Sequence, residues 1–121
     1  MNGISVGIGG FFGALGRYFI GQLIPPLKGF PLGTCIINLL GCFFLGWFLT
    51  VTAKRWKLSN EVRLGISTGV AGGFTTFSTF CVESVKLIEQ QQIGMFLLYI
   101  GSSIIMGIAM CWVGIRIARE N

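Results

Sequence analysis

Four stretches of this chain, Ile4 to Ile24, Leu32 to Ala53, Val62 to Ile88 and Ile93 to Ile115, are long, apolar and carry almost no charge. A helix of ~20 such residues is what it takes to cross a hydrocarbon layer of ~30 Å. The expected fold class is therefore all-α integral membrane, with four transmembrane helices forming a single domain over residues 1–121. The connections are short: Pro25 to Pro31, which holds all three prolines, Lys54 to Glu61, and Glu89 to Gln92. None has room for a soluble domain. A hydrophobic share of 53%, a charged share of 11% and a mean hydropathy of +0.79 fit the same reading, since they lie far from the balance of a soluble domain. The first stretch lacks the basic start of a signal peptide and carries Arg17 inside it, so it is expected to stay in the membrane.

The third stretch differs from the others in its middle, which reads Gly69-Val70-Ala71-Gly72-Gly73-Phe74-Thr75-Thr76-Phe77-Ser78-Thr79-Phe80. As one straight helix, Val62 to Ile88 would run ~40 Å, longer than the hydrocarbon layer requires. Two adjacent glycines weaken a helix, and nearby hydroxyls can take up the backbone groups that a break sets free. A helix broken within this middle is predicted. Irregular backbone at membrane depth persists only inside protein or beside a water-filled path, which makes the break a candidate ion or substrate site.

Four short helices enclose too little volume for a pore and its support, so an oligomer is expected. In the first stretch, Gly3/Gly7 and Gly9/Gly13 have the four-residue spacing that lets helices approach closely, within or between subunits. The net charge of +5 gathers at the ends of the stretches and reads as membrane orientation rather than nucleic-acid binding. With four crossings, Lys54, Arg55, Lys57, Arg63, Arg116 and Arg119 share one side with both termini, against Lys28 and Lys86 on the other. That bias places the termini in the cytoplasm.

Chemistry of the enzymatic kind has no foothold. The chain has no histidine, and Cys35, Cys42, Cys81 and Cys111 lie within apolar stretches without metal-ligand spacing. What remains are the polar groups inside the membrane, which are expensive to bury. Asn38 lies midway along the second stretch, where its amide could bridge two helices or offer donors to a permeating anion; Thr34 is one turn earlier on the same face. Tyr99 and Ser103 form a hydroxyl stripe in the fourth stretch, flanked by Ser102. Phe77 and Phe80 share a helix face, with Ser78 and Thr79 between them. Such a pair is ordinarily core, yet ring edges are partially positive and can face an anion. Ring edges, an amide and hydroxyls without a full positive charge would suit a small hydrated anion that has to bind reversibly.

Gly72 to Phe80 with Glu83 shortly after, Gly16-Arg17-Tyr18, and Asn38 within Gly33-Thr34-Cys35-Ile36-Ile37-Asn38-Leu39-Leu40-Gly41 together resemble the Fluc (CrcB) fluoride channels along the whole chain. The resemblance implies passive export of cytoplasmic fluoride across the inner (plasma) membrane by an antiparallel, dual-topology dimer with two pores. It also implies a structural sodium ion at the dimer centre, held by backbone carbonyls that transfer here to Gly72 and Thr75 of both subunits. On the same matching Phe77, Phe80 and Asn38 line the pore, and Ser78 and Thr79 form a polar track. Tyr99 and Ser103 flank the pathway, Thr34 and Glu83 sit near its vestibule, and Arg17 is a structural or interface residue. One position departs from the pattern: where some members carry a further hydroxyl, a turn after Ser103, this chain has Gly107. The charge bias also departs from a chain that inserts both ways. It leaves open a homodimer or a heterodimer with an oppositely oriented homologue.

Two other transport readings compete. A small proton-coupled four-helix exporter would want a carboxylate buried in the first stretch, where the only charge is Arg17. A fluoride/proton antiporter would need a titratable carrier, for which Glu83 is the candidate. A membrane scaffold without transport would use the glycines but leave the hydroxyl-rich third stretch without purpose.

Overall fold

The computed structural model describes all 121 residues, and every regular element but one isolated bridge is helical. Three helices are long and apolar enough to cross a membrane: α1 (Asn2–Leu23), α2 (Leu32–Lys54) and α6 (Ile93–Glu120). Between α2 and α6 the chain runs as a series of pieces. A short helix, α3 (Asn60–Leu64), widens into a π-helical stretch (Gly65–Val70) and tightens again as α4 (Ala71–Phe74). After two non-helical residues it resumes as α5 (Phe77–Glu89).

The predicted break is present within the Gly69–Phe80 middle. Gly72 and Gly73 are helical within α4, and the interruption falls at Thr75 and Thr76, whose backbones are extended (φ −81°, ψ 158° and φ −146°, ψ 121°). Threonine is β-branched and tolerates extended backbone well, and its hydroxyl can cap what the break exposes. Thr76 does so as the N-cap of α5, accepting from the Thr79 N–H at 3.2 Å, while Thr75 Oγ1 donates back to the Ala71 carbonyl at 2.9 Å. Gly73 has a different task. A Cβ there would collide with the backbone of Gly10, so this glycine sets how closely α1 and α4 approach.

The break also moves the chain from one neighbour to another. Residues 60–74 pack along α1, whereas α5 lies against α6 and α2 runs along α6. Backbone contact fixes the first of these packings: a Cβ on Gly9 would strike the Gly65 carbonyl, and one on Gly13 the Val70 carbonyl. Gly46 against Cys111, and Gly114 against Phe43, do the same between α2 and α6. Gly3 and Gly7, expected on the same contact surface as Gly9 and Gly13, have nothing within 4 Å of where a Cβ would sit. They lie on the face of α1 turned away from this packing, since Ser5 and Val6 of the same turns meet Gly65 and Gly69.

Two ends differ from the sequence boundaries. The last helix continues beyond Ile115 to Glu120, stabilised by an Arg116–Glu120 pair one turn apart (3.0 Å) and by Arg116 stacked 5.2 Å over Trp112. The Pro25–Pro31 connection closes on itself, with Leu27 and Phe30 exchanging backbone hydrogen bonds (3.0 and 2.9 Å) around Lys28 and Gly29, both at positive φ. Only 18 of 121 residues are buried, while Phe11, Phe12, Phe19 and Ile105 stand outward, as they can only in lipid or against another chain. This is a multi-pass membrane protein.

Candidate functional site

An uninterrupted helix would aim the Thr76 N–H at the Gly72 carbonyl and the Thr79 N–H at the Thr75 carbonyl. Both donors are diverted. The Thr76 N–H donates to Asn38 Oδ1 (2.8 Å), and the Thr79 N–H to Thr76 Oγ1 (3.2 Å). Asn38 Nδ2 completes a reciprocal pair by donating to the Thr76 carbonyl at 3.0 Å. One amide side chain thus serves both backbone groups of the residue at the break, as a neighbouring strand would. The four carbonyls from Gly72 to Thr75 are left without the donors an intact helix would give them.

One of these, that of Gly73 in α4, accepts from Arg17 Nε at 3.2 Å. This is the partner of the charge inside the first span. Nothing in the residue pattern pointed to it directly, although carbonyls at a helix C-terminus carry partial negative charge and attract a cation.

Two clefts flank the break and share Thr76. The larger, about 680 Å³, is lined by Asn38, Gly72, Thr75, Phe77, Phe80 and Ser103 among others. The smaller, about 400 Å³, takes in Arg17, Thr34, Thr79 and Glu83. Across the break the hydroxyls form a chain: Thr76 Oγ1 donates to Thr79 Oγ1 (3.1 Å) and lies 3.3 Å from Ser78 Oγ. Thr34 Oγ1 donates to Glu83 Oε1 at 2.5 Å, tying α2 to α5.

The two phenylalanines share a face as expected, with ring centroids 5.9 Å apart and planes tilted by 31°. Their surroundings differ. Phe77 is 76% exposed, whereas Phe80 packs against Tyr99 with centroids 5.0 Å apart. The Tyr99–Ser103 stripe is divided as well. Ser103 lines the larger cleft and lies 3.9 Å from Cys35 Sγ, but Tyr99 is fully buried between Phe30 and Phe80 and lines neither cleft. Its hydroxyl, beside Thr34 and Glu83, has no hydrogen-bond partner. Gly107 is buried against Cys42, whose sulfur lies 3.5 Å from where a Cβ would be, so this helix position faces α2.

Thr76 is the site residue that sequence reasoning passed over. The signal was present: a threonine just ahead of an amphipathic segment is a ready N-cap and marks a helix start.

A family model described as CrcB-like protein, Camphor Resistance (CrcB), matches residues 4–115. The chain belongs to the CrcB family. Among CrcB relatives, a protein of Oceanobacillus iheyensis named fluoride-specific ion channel FluC is 46% identical over 97% of this chain and 91% of its own length. One of Moorella thermoacetica, named fluoride-specific ion channel FluC 1, is 46% identical over 96% and 84%. A third, from Geobacillus kaustophilus and named fluoride-specific ion channel FluC 2, is 41% identical over 98% and 93%. Membership of the CrcB family makes this chain a membrane transport protein and not an enzyme.

Proposed function

We propose that this chain is a fluoride channel that lets cytoplasmic fluoride leave passively through the inner membrane. Near-full-length likeness to relatives named fluoride-specific ion channels supports this. The observation that carries it is the clamp of Asn38 on Thr76, which holds a helix open beside a cleft lined by Phe77, Phe80 and Ser103. One N–H of the Asn38 amide is taken by the Thr76 carbonyl, and the other remains to meet an anion. Ring edges and hydroxyls supply the rest of the lining, so a small anion is offered close donors without a fixed charge to trap it. Counted as one interrupted crossing, residues 60–89 bring the spans to four within one domain.

The functional unit in this reading is an antiparallel dimer with two pores. The exposure of Phe77 and of Gly72 beside it supports a second subunit completing the cleft. A sodium ion at the dimer centre is part of the proposal, because the carbonyls that the break deprives of helical donors include those of Gly72 and Thr75. Oxygen ligands of that kind suit a hard cation, and bound there it would hold opposed helix ends together. The six-to-two charge bias favours cytoplasmic termini for most copies, and the dimer is then either a homodimer that inserts both ways despite that bias or a heterodimer with an oppositely oriented homologue.

Phe77→Ile and Phe80→Ile keep apolar bulk but remove the ring edge. Each should lower fluoride efflux from reconstituted liposomes about tenfold, the worth of an aromatic electrostatic contact of ~1.4 kcal/mol. The dimer should survive on size exclusion. Wild-type flux in both variants would remove the rings from the pathway.

Exchange of sodium for potassium should loosen the dimer. An ion held at about a hundred times its dissociation constant contributes ~2.7 kcal/mol, which a dissociation isotherm in detergent resolves. Thr75→Val should leave this dependence in place, because the backbone carbonyl is the ligand. A dimer indifferent to sodium under conditions of exchange would argue against a structural ion.

A further inference from the structure

Four of the basic residues outside the ion pathway converge at one place. Lys54, Arg55, Lys57 and Arg63 line a cleft of about 380 Å³ where α2 ends and the chain turns back into α3. No carboxylate lines it, and the only ion pair in the chain, Arg116–Glu120, lies near the end of α6. Four cations facing one concavity without a counterion repel one another. An anion seated among them relieves that repulsion.

The depth of the cleft narrows the choice of anion. The apolar run of α2 ends at Lys54, and Trp56, which also lines the cleft, stands edge-on to Trp47 with ring centroids 5.6 Å apart. Tryptophans gather at the level of lipid headgroups, where an apolar ring meets a wet edge. Arg63 is partly oriented already: its Nε donates to Thr52 Oγ1 at 3.4 Å, on the last turns of α2. Its terminal nitrogens have no carboxylate to bind and match the geometry of phosphate oxygens. Asn60 adds an amide donor on the same wall. The volume falls at the lower end of the range that holds small ligands, ~300–1,000 Å³.

We propose that this cleft binds the phosphate of an anionic phospholipid headgroup, with Arg63 and Lys57 as its principal ligands. The site is independent of what the channel conducts. It differs from a general attraction between basic ends and acidic lipid, because Arg116 and Arg119 are equally exposed to headgroups but belong to no such cleft.

Native mass spectrometry of the purified full chain in detergent, titrated with phosphatidylglycerol or with phosphatidylcholine of the same acyl chains, tests it. Phosphatidylglycerol adducts should outlast phosphatidylcholine adducts. Lys57→Gln with Arg63→Gln should weaken phosphatidylglycerol binding about five-fold for each charge removed. Arg116→Gln with Arg119→Gln should leave it unchanged. Arg63→Lys keeps the charge and loses the planar fork, so it should weaken binding by less than Arg63→Gln but measurably; it decides the matter should the double variant fail to insert. Equal retention of both lipids would overturn the proposal, as would equal effects of the two double variants or wild-type binding by Arg63→Lys. Displacement of phosphatidylglycerol by millimolar inorganic phosphate would assign the cleft to a soluble ion and overturn the lipid reading.

Discussion

Asn38→Asp should cut fluoride efflux by about a hundred-fold or more and destabilise the fold by ~2–4 kcal/mol. The carboxylate keeps an acceptor for the Thr76 N–H, which Asn38 Oδ1 holds at 2.8 Å. It turns its second oxygen toward the Thr76 carbonyl, which now receives an N–H from Nδ2 at 3.0 Å. Two acceptors then face each other at membrane depth, and any ionised fraction repels the anion the pathway is meant to pass. Asn38→Ala separates the two effects. It leaves both Thr76 groups unpaired, at ~1–3 kcal/mol each, but introduces no charge. Efflux per inserted subunit, measured beside thermal unfolding in detergent, distinguishes a structural clamp from an anion donor. Normal flux in well-inserted Asn38→Asp protein would reduce Asn38 to a helix-to-helix hydrogen bond.

The second large effect needs no assumption about transport. Gly9→Ala and Gly13→Ala should each cost ~3 kcal/mol or more, because the added methyl meets backbone carbonyls of Gly65 and Val70 that no side-chain rotation can clear. Gly3→Ala and Gly7→Ala place the same methyl in open space and should stay within ~0.5 kcal/mol of the parent as a folded subunit. Denaturant unfolding in detergent compares the four. Loss at Gly3 or Gly7 equal to that at Gly9 would mean that the whole glycine face is buried, and that α1 packs differently from the arrangement described.

These glycines show how far the sequence could be read. Four-residue spacing identified a surface capable of close approach, but Gly3/Gly7 and Gly9/Gly13 have the same spacing, and only the path of residues 60–74 decides which pair is covered. The break was legible for a related reason, but the two residues that form it were not. Too many residues for one crossing, rich in glycine and hydroxyls, require an interruption somewhere. Helix propensity alone puts it at Gly72 and Gly73, yet tertiary contact with Gly10 keeps Gly73 helical, and the caps available to Thr75 and Thr76 draw the break there.

Long-range partners were less accessible. Arg17 and Gly73 are 56 residues apart, and a backbone carbonyl leaves no mark in a sequence. Asn38 was recognised as a polar group requiring a partner, but only the fold shows that one residue supplies both of its hydrogen bonds. Tyr99 and Ser103 share a helix face by spacing, and the aromatic packing of Phe30 and Phe80 around Tyr99 is what divides them. The cleft of Lys54 to Arg63 was visible only as charge. Its concavity depends on how the chain turns from α2 into α3.

The most direct test of the central claim is fluoride movement in liposomes containing only this purified chain, recorded with a fluoride electrode and no pH gradient. Efflux should begin once a potassium ionophore relieves the opposing voltage, should follow the imposed potential, and should not be matched by chloride. Flux that stops without a pH gradient, or that carries protons in fixed ratio to fluoride, would contradict a passive channel and make Glu83, held by Thr34 in the smaller cleft, the group to examine next.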